Sequence, residues 1–409
     1  MPSFSIALTG LKADSVALNT IGNNLANLNT TAFKKQDVQF SDLLYQNIGS
    51  SGASTPLQIG VGTKVSNIAT DHTQGSLSVT GNTTNMAING DGFFVVQKDG
   101  SQALTRAGDF QLDQYGNLIT SSGLNVMGYP AVNGEVNRNT GISPIVIPTG
   151  QMQQARATND FSMTAVLNSS STVGASFSNS IAMYDSLGTA HEVTVNFTKT
   201  ADNQWDYAVT LPGADATSAS GNTGTLKFDS DGNLASPANN ISGITFSGMK
   251  DAASDMQLNW SLYDADNGKG LITQTSVASS VNATHQNGYA TGKYKSFTVD
   301  GQGVITASFS NGNSQQLGQI AVATVANADG LARLGGNLYQ ANDASGLASI
   351  GVAGTGGRGD VEGSSLEMSN VDISAEFANL IVAQRAFQAN SKTVTAFDTI
   401  TQDTINMIR

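Results

Sequence analysis

Cysteine is missing from all 409 residues, which excludes a disulfide framework, a thiolate metal site and cysteine-dependent cross-links between copies. Charge is scarce too. Only 12% of the residues are charged, about half the share in an average domain. Acidic side chains number 31 against 19 basic ones, for a net charge of −12 and a pI near 4.5. That balance excludes a nucleic-acid partner, which would need a basic face to displace phosphate counterions. No apolar run approaches the ~18 residues of a membrane-spanning helix, so no membrane insertion is expected. The opening MPSFSIALTG has neither the basic start nor the apolar stretch of a secretory signal, so no cleaved signal peptide is expected.

Glycine, in contrast, is abundant at 44 residues and unevenly spread: only Gly10 and Gly22 precede Gly49, and none follows Gly363. The two ends therefore obey different rules from the middle. From Ser3 to Leu28, Phe4, Leu8, Leu11, Leu18, Ile21, Leu25 and Leu28 recur at steps of three, four and seven, a helical period. Near the other end, Leu366, Ile373, Leu380, Phe387, Val394 and Ile408 share one seven-residue register. Thr401 interrupts it, and Phe377, Ile381, Phe397, Ile400 and Ile405 lie beside it. The spacing predicts helices over 3–28 and 372–407, with Ser369, Asn370 or Asp372 as the N-cap of the second and Glu376 interacting with its first turn.

The middle reads as β-structure. Ten Asn-Gly or Asp-Gly pairs mark tight turns, and alternation such as Val193, Val195, Phe197 and Met256, Leu258, Trp260, Leu262 marks half-buried antiparallel strands. Residues 29–70, rich in Thr, Ser, Gly and Gln with weak periodicity, read as a connecting segment. The fold expected is mainly β with long terminal α-helices: nested β-rich domains on a discontinuous, coiled-coil-like helical base.

An amphipathic helix must bury its stripe. Two readings of the terminal helices stay open: they pair with each other and with copies from neighbouring chains, or they dock on the β-domains of one monomer. Pairing would make everything between them one excursion that leaves and returns.

At this point the ends resemble a known family. ALTGLKADSVALNTIGNNLANLNTTAFKK is similar to the opening signature of the bacterial flagellar axial proteins of rod and hook, and SNVDISAEFANLIVAQRAFQANSKTVTAFDTI to their closing signature. PLQIGVGTKV, TQGSLSVTGNTTNMAINGDGFFVV and TRAGDFQLDQYGNLITSSGLNVMGY resemble the inner domain these proteins share, and FSNSIAMYDSLGTAHEVTVNFTK resembles the outer domain of the hook members. Ala32 stands where the family has Gly. The resemblance implies a structural polymer, the flexible tube that joins rod to filament as a universal joint. It places 1–28 with 372–409 at the inner assembly core, 29–70 as the connection, 71–147 with 283–363 as the inner β domain and 148–282 as the outer one. The assembly core so implied comprises Phe4, Leu8, Leu11, Leu18, Ile21, Asn23, Asn24, Leu25, Leu28, Ile373, Phe377, Leu380, Gln384, Phe387, Asn390, Val394 and Phe397. The partners implied are other copies of the chain, the rod, a hook cap, a hook-length control protein, the hook–filament junction proteins and the type III export apparatus, which would deliver the chain unfolded to the flagellum outside the cell. A rod protein with an inserted domain is the neighbouring alternative. A secreted β-rich adhesin or glycosidase is the alternative from another class.

Candidate chemistry is thin. His72, His191 and His285 are scattered without metal-ligand spacing and read as surface or turn residues, so no metal or other cofactor is expected. GTGGRG at 354–359 fits a dinucleotide fingerprint formally, but SSLEMSN follows where a helix should start, so a flexible linker is expected. DSDGN at 229–233 opens like a calcium loop but lacks its closing Glu and reads as a turn. Neither a Ser/His/Asp set nor GxSxG is present, and no catalytic residue is expected. Asn23, Asn24, Asn27 and Asn29 suit either a helix C-cap or bonds to neighbouring copies, and Gln384, Arg385 and Asn390 carry the same two readings.

Overall fold

The structure, a computed structural model, describes residues 2–51, 55–98, 100–150 and 152–407. It is mainly β with one long helix at each end, α1 (Pro2–Ala26) and α2 (Ile373–Met407), and these two pack together. At about 1.5 Å per residue they are roughly 38 and 53 Å long. The chain divides into two compact units. One holds Met1–Thr149, Phe297–Ala307 and Gln315–Arg409, the other Gly150–Ser296 and Ser308–Ser314.

In the first unit α1 ends at the asparagine cluster, where the Asn27 amide donates to both Asn23 and Asn24 carbonyls. Four strands follow: β1 (Gln36–Asp42), β2 (Tyr45–Ser51), β3 (Thr55–Gly60) and β4 (Thr63–Thr70). β1 pairs antiparallel with β4, and β2 with β3. The weak periodicity of 29–70 concealed these strands because a two-stranded ribbon buries neither face well; in β1 no residue is buried.

β5 (Leu77–Val79) pairs with Ser365–Glu367 and β6 (Met86–Asn89) with Asp360–Gly363, so the outgoing and returning chain run side by side. Leu366, expected on the helical register, therefore lies in a strand. The hairpin of β7 (Phe93–Lys98) and β8 (Ser101–Thr105) joins Asn125–Val132 and the inner stretch of Ser314–Thr324 around Phe93, Val95, Leu104, Met127, Ala321, Ala323 and Tyr339. α2 starts where Asp372 caps it, its Oδ1 accepting from the amides of Ser374 (2.7 Å) and Ala375 (3.1 Å). Ile408 lies outside the described residues.

The second unit faces a five-stranded sheet, Ser176–Tyr184 to Leu234–Ser236, with a six-stranded sheet built around Asp160–Asn168. Their inward residues make one core that holds both tryptophans, Trp205 and Trp260, with Phe161, Phe197, Phe246 and Leu258. The alternation in the sequence suggested antiparallel strands throughout. Asp160–Asn168 instead runs parallel to Met256–Ser261 and Ile272–Thr275 and antiparallel to Ser280–Gln286.

Candidate assembly surface

The buried face of α1 is made of small residues. Ala7, Gly10, Ala13, Thr20 and Asn24 are buried, at steps of three, three, seven and four, where α1 meets α2 and the β1–β4 ribbon. A Cβ on Gly10 would lie 2.6 Å from Asn390 Nδ2, so the absence of a side chain there sets how near the helices come. The large residues singled out in the sequence lie to one side of this face. Phe4 is 46% and Leu8 40% exposed, whereas Leu11, Leu18, Ile21, Leu25 and, beyond the helix, Leu28 are half-buried.

On α2 the buried residues are Glu376 and Ala383. Leu380, Asn390, Val394 and Phe397 are half-buried, while Ile373, Phe377 (50%) and Phe387 remain exposed, as do Gln384 and Arg385. Ile381, Val382, Ile400 and Ile405 extend the exposed apolar surface. Burying a large aliphatic or aromatic side chain is worth about 1.5–3 kcal/mol, and these residues leave that gain unrealised within one chain.

Polar ties lock the helix pair. Asn24 is buried: its Nδ2 donates to Glu376 Oε2 (3.2 Å) and to the Gln36 carbonyl (2.9 Å), and its Oδ1 accepts from the Gln36 amide. Glu376 thus reaches across to α1, and the first turn of its own helix is capped by Asp372. Asn390 Nδ2 donates to Asp14 Oδ2 at 2.9 Å. Asn23 and Asn27 serve the local turn, with Asn27 Nδ2 donating to the Asn23 carbonyl. The asparagine cluster therefore divides its labour, since Asn24 alone of these three points inward.

A second tie escaped the sequence. Glu367 is fully buried and accepts from Lys34 Nζ (2.6 Å), Arg106 Nε (2.9 Å) and the Gly75 amide (3.0 Å). Arg106 also donates to the carbonyls of Ile88, Gly90 and Gly92. Burial pushes the Lys34 ammonium below its usual range, with Glu367 opposing. Residues 34, 106 and 367 share no sequence spacing. The available signal was that Glu367 occupies an inward position of Ser365–Glu367, whose burial alternates.

The histidines differ from expectation at one position. His285 is exposed and His72 is half-buried beside Phe93 and Tyr339. His191 is buried, with Asp185 Oδ2 3.0 Å from its Nε2 and Asp215 Oδ2 3.2 Å from its Nδ1. Burial alone would lower its pKa, but the two carboxylates outweigh it and raise the imidazole above its ordinary value. Asp185, which burial would raise, is held low by His191 and by the amides of Thr189 and Leu187. GTGGRG closes a turn in which Arg358 Nε donates to the Val352 carbonyl, and a strand, Asp360–Gly363, follows. Asp229 caps its own turn, accepting from the amides of Asp231 and Asn233.

Paired terminal helices enclosing a β-rich excursion define the class of flagellar axial proteins, and comparison with known families agrees. Four family models match: "Flagella basal body rod protein" at 4–34, "Flagellar hook protein FlgE/F/G D1 domain" at 87–165, "Flagellar basal body protein FlaE D2 domain" at 157–289 and "Flagellar basal body rod FlgEFG protein C-terminal" at 362–407. The chain is 36% identical to the flagellar hook protein FlgE of Escherichia coli K12, over 99% of its length and 100% of that protein. It is 32% identical to the flagellar hook protein FlgE of Treponema pallidum over the whole of both chains. The crystal structure of Helicobacter pylori flagellar hook protein FlgE2 shares the fold, with a TM-score of 0.57 over 71% of this chain and 100% of that one at 16% identity. The chain belongs to the flagellar hook protein FlgE family and is a structural subunit of the flagellar hook. Full-length similarity to hook proteins leaves the rod alternative disfavoured.

Proposed function

We propose that this chain polymerises with itself through its helical ends to build a flexible tube that carries torque from rod to filament, without catalysis. The observation that carries this reading is the apolar surface of the α1–α2 pair, where Phe4, Leu8, Phe377 and Ile381 stay exposed although the helices already pack on each other. Exposed apolar area of this kind gains its stabilisation only when another surface covers it. In the assembled tube, 1–28 and 372–409 take the centre, with the assembly core drawn from both helices as set out above. Residues 29–70 connect outward, 71–147 with 283–363 form the inner domain, and 148–282 the outer. The absence of cysteine suits delivery of an unfolded chain by the type III export apparatus. Its partners are then other copies, the rod, the hook cap, the hook-length control protein and the junction proteins.

The test is sedimentation of the purified full-length chain across a concentration series, compared with Leu8→Asp and Phe377→Asp. Both variants are expected to stay in the supernatant while circular dichroism of their β-rich body is unchanged. Polymer formation by both at the wild-type concentration would overturn the reading.

A further inference from the structure

A groove of about 320 Å³ opens between α1, β1 and α2. Ile21, Phe40 and Val382 give it apolar walls, and Asp14, Asp37 and Glu376 give it negative charge; no lysine or arginine lines it. Phe40 is 49% exposed, a free aromatic face at the groove. Within the chain these carboxylates are only partly answered. Asp14 accepts from the Asn390 amide group, Glu376 from that of Asn24, and Asp37 sits 3.3 Å from Lys35 with half of its side chain open to solvent.

The complementary feature lies elsewhere on α2. Arg385 is exposed and, among the described residues, takes part in no ion pair. It follows Glu376 by nine residues, about two and a half turns, which puts it on the side of α2 opposite Glu376, just past the groove's edge at Val382. Exposed Ile381 lies one turn before it. One surface thus offers an exposed cation beside Ile381, and the other an apolar groove with carboxylates and no cation. A guanidinium suits that groove better than an ammonium. It is planar, stacks on an aromatic ring, and presents several donors to paired carboxylates.

We propose that Arg385 of a second copy seats in this groove, over Phe40 and toward Asp14 and Asp37, and so sets the register of neighbouring helices. This rests on the polymerisation proposed above and names the contact that would orient it.

Charge exchange tests it. Full-length Arg385→Glu and Asp37→Arg chains are each expected to need at least a tenfold higher concentration to sediment as polymer. The double variant, and an equimolar mixture of the two single variants, should polymerise within threefold of wild type, because each arrangement restores one cation to one carboxylate across the contact. Rescue in the mixture also shows that both singles are folded. Wild-type polymerisation by Arg385→Glu, or failure of both the double variant and the mixture, would overturn the proposal. Leu8→Asp separates the two readings: if it blocks assembly while Arg385→Glu does not, the groove contact falls and polymerisation through the helices stands.

Discussion

Ala32 holds φ at 55° with its side chain fully buried and its amide donating to the Glu367 carbonyl at 2.8 Å. The position thus holds a backbone that glycine adopts more readily than alanine. Left-handed backbone costs an L-residue about 1–2 kcal/mol, offset by a stiffer unfolded chain and one buried methyl. Ala32→Gly should therefore change stability by less than about 1 kcal/mol, whereas Ala32→Val, β-branched and without room, should cost about 2–4 kcal/mol in a urea titration followed by helical dichroism. Glu367→Gln strands two buried cations and should cost about 3–5 kcal/mol by the same measurement. At His191 the raised imidazole and lowered Asp185 fix a pH window. The histidine's contribution is complete below its unfolded value of about 6.5 and is lost as pH rises through the folded one; the aspartate's is complete above about 3.9 and is lost as pH falls through the folded one. The urea midpoint of wild type should therefore fall from pH 5.5 to pH 9 by more than that of His191→Gln does. None of these roles was legible in sequence, because each depends on partners far along the chain: Ala32 on Glu367, His191 on Asp215. Asp372 was legible, since a cap acts on its immediate neighbours.

The helices themselves were plain from their three- and four-residue steps, but the face that pairs them was not. Hydrophobic periodicity weights large side chains, so it picked out Phe4, Leu8 and Leu11; the contact within the chain is made through Gly10, Ala13 and Asn24, whose small size permits close approach. Gly10→Val should push α2 away, break the Asn390–Asp14 bond and reduce the protection of α1 amides in hydrogen exchange, even though valine is a better helix former than glycine. Unchanged protection would show that the helices are held together elsewhere. In the β-region the Asn-Gly and Asp-Gly pairs marked many turns, yet a second device went unread. In DQYGN, DSLGT, DSDGN and DGQGV, the aspartate Oδ1 of Asp113, Asp185, Asp229 or Asp300 accepts from the amides two and four residues on, and the glycine takes positive φ. Local side-chain capping rather than the Asn-Gly dipeptide shapes these turns.

For the whole molecule, both tryptophans belong to the second unit and both helices to the first. Tryptophan fluorescence thus reports one unit and helical dichroism the other. Glu367→Gln should shift the dichroism midpoint and leave the fluorescence midpoint within error, and His191→Gln should do the reverse; coincident shifts in both variants would show that the two units unfold as one. The Glu367 tie also fixes an order of events. Its partners Lys34 and Arg106 lie 333 and 261 residues earlier, so a chain that emerges amino end first holds two uncompensated cations until nearly all of it has appeared. The second unit, almost contiguous between Gly150 and Ser296, can close long before. The last strand before α2 therefore acts as a latch on completeness: a truncated chain cannot mature its first unit.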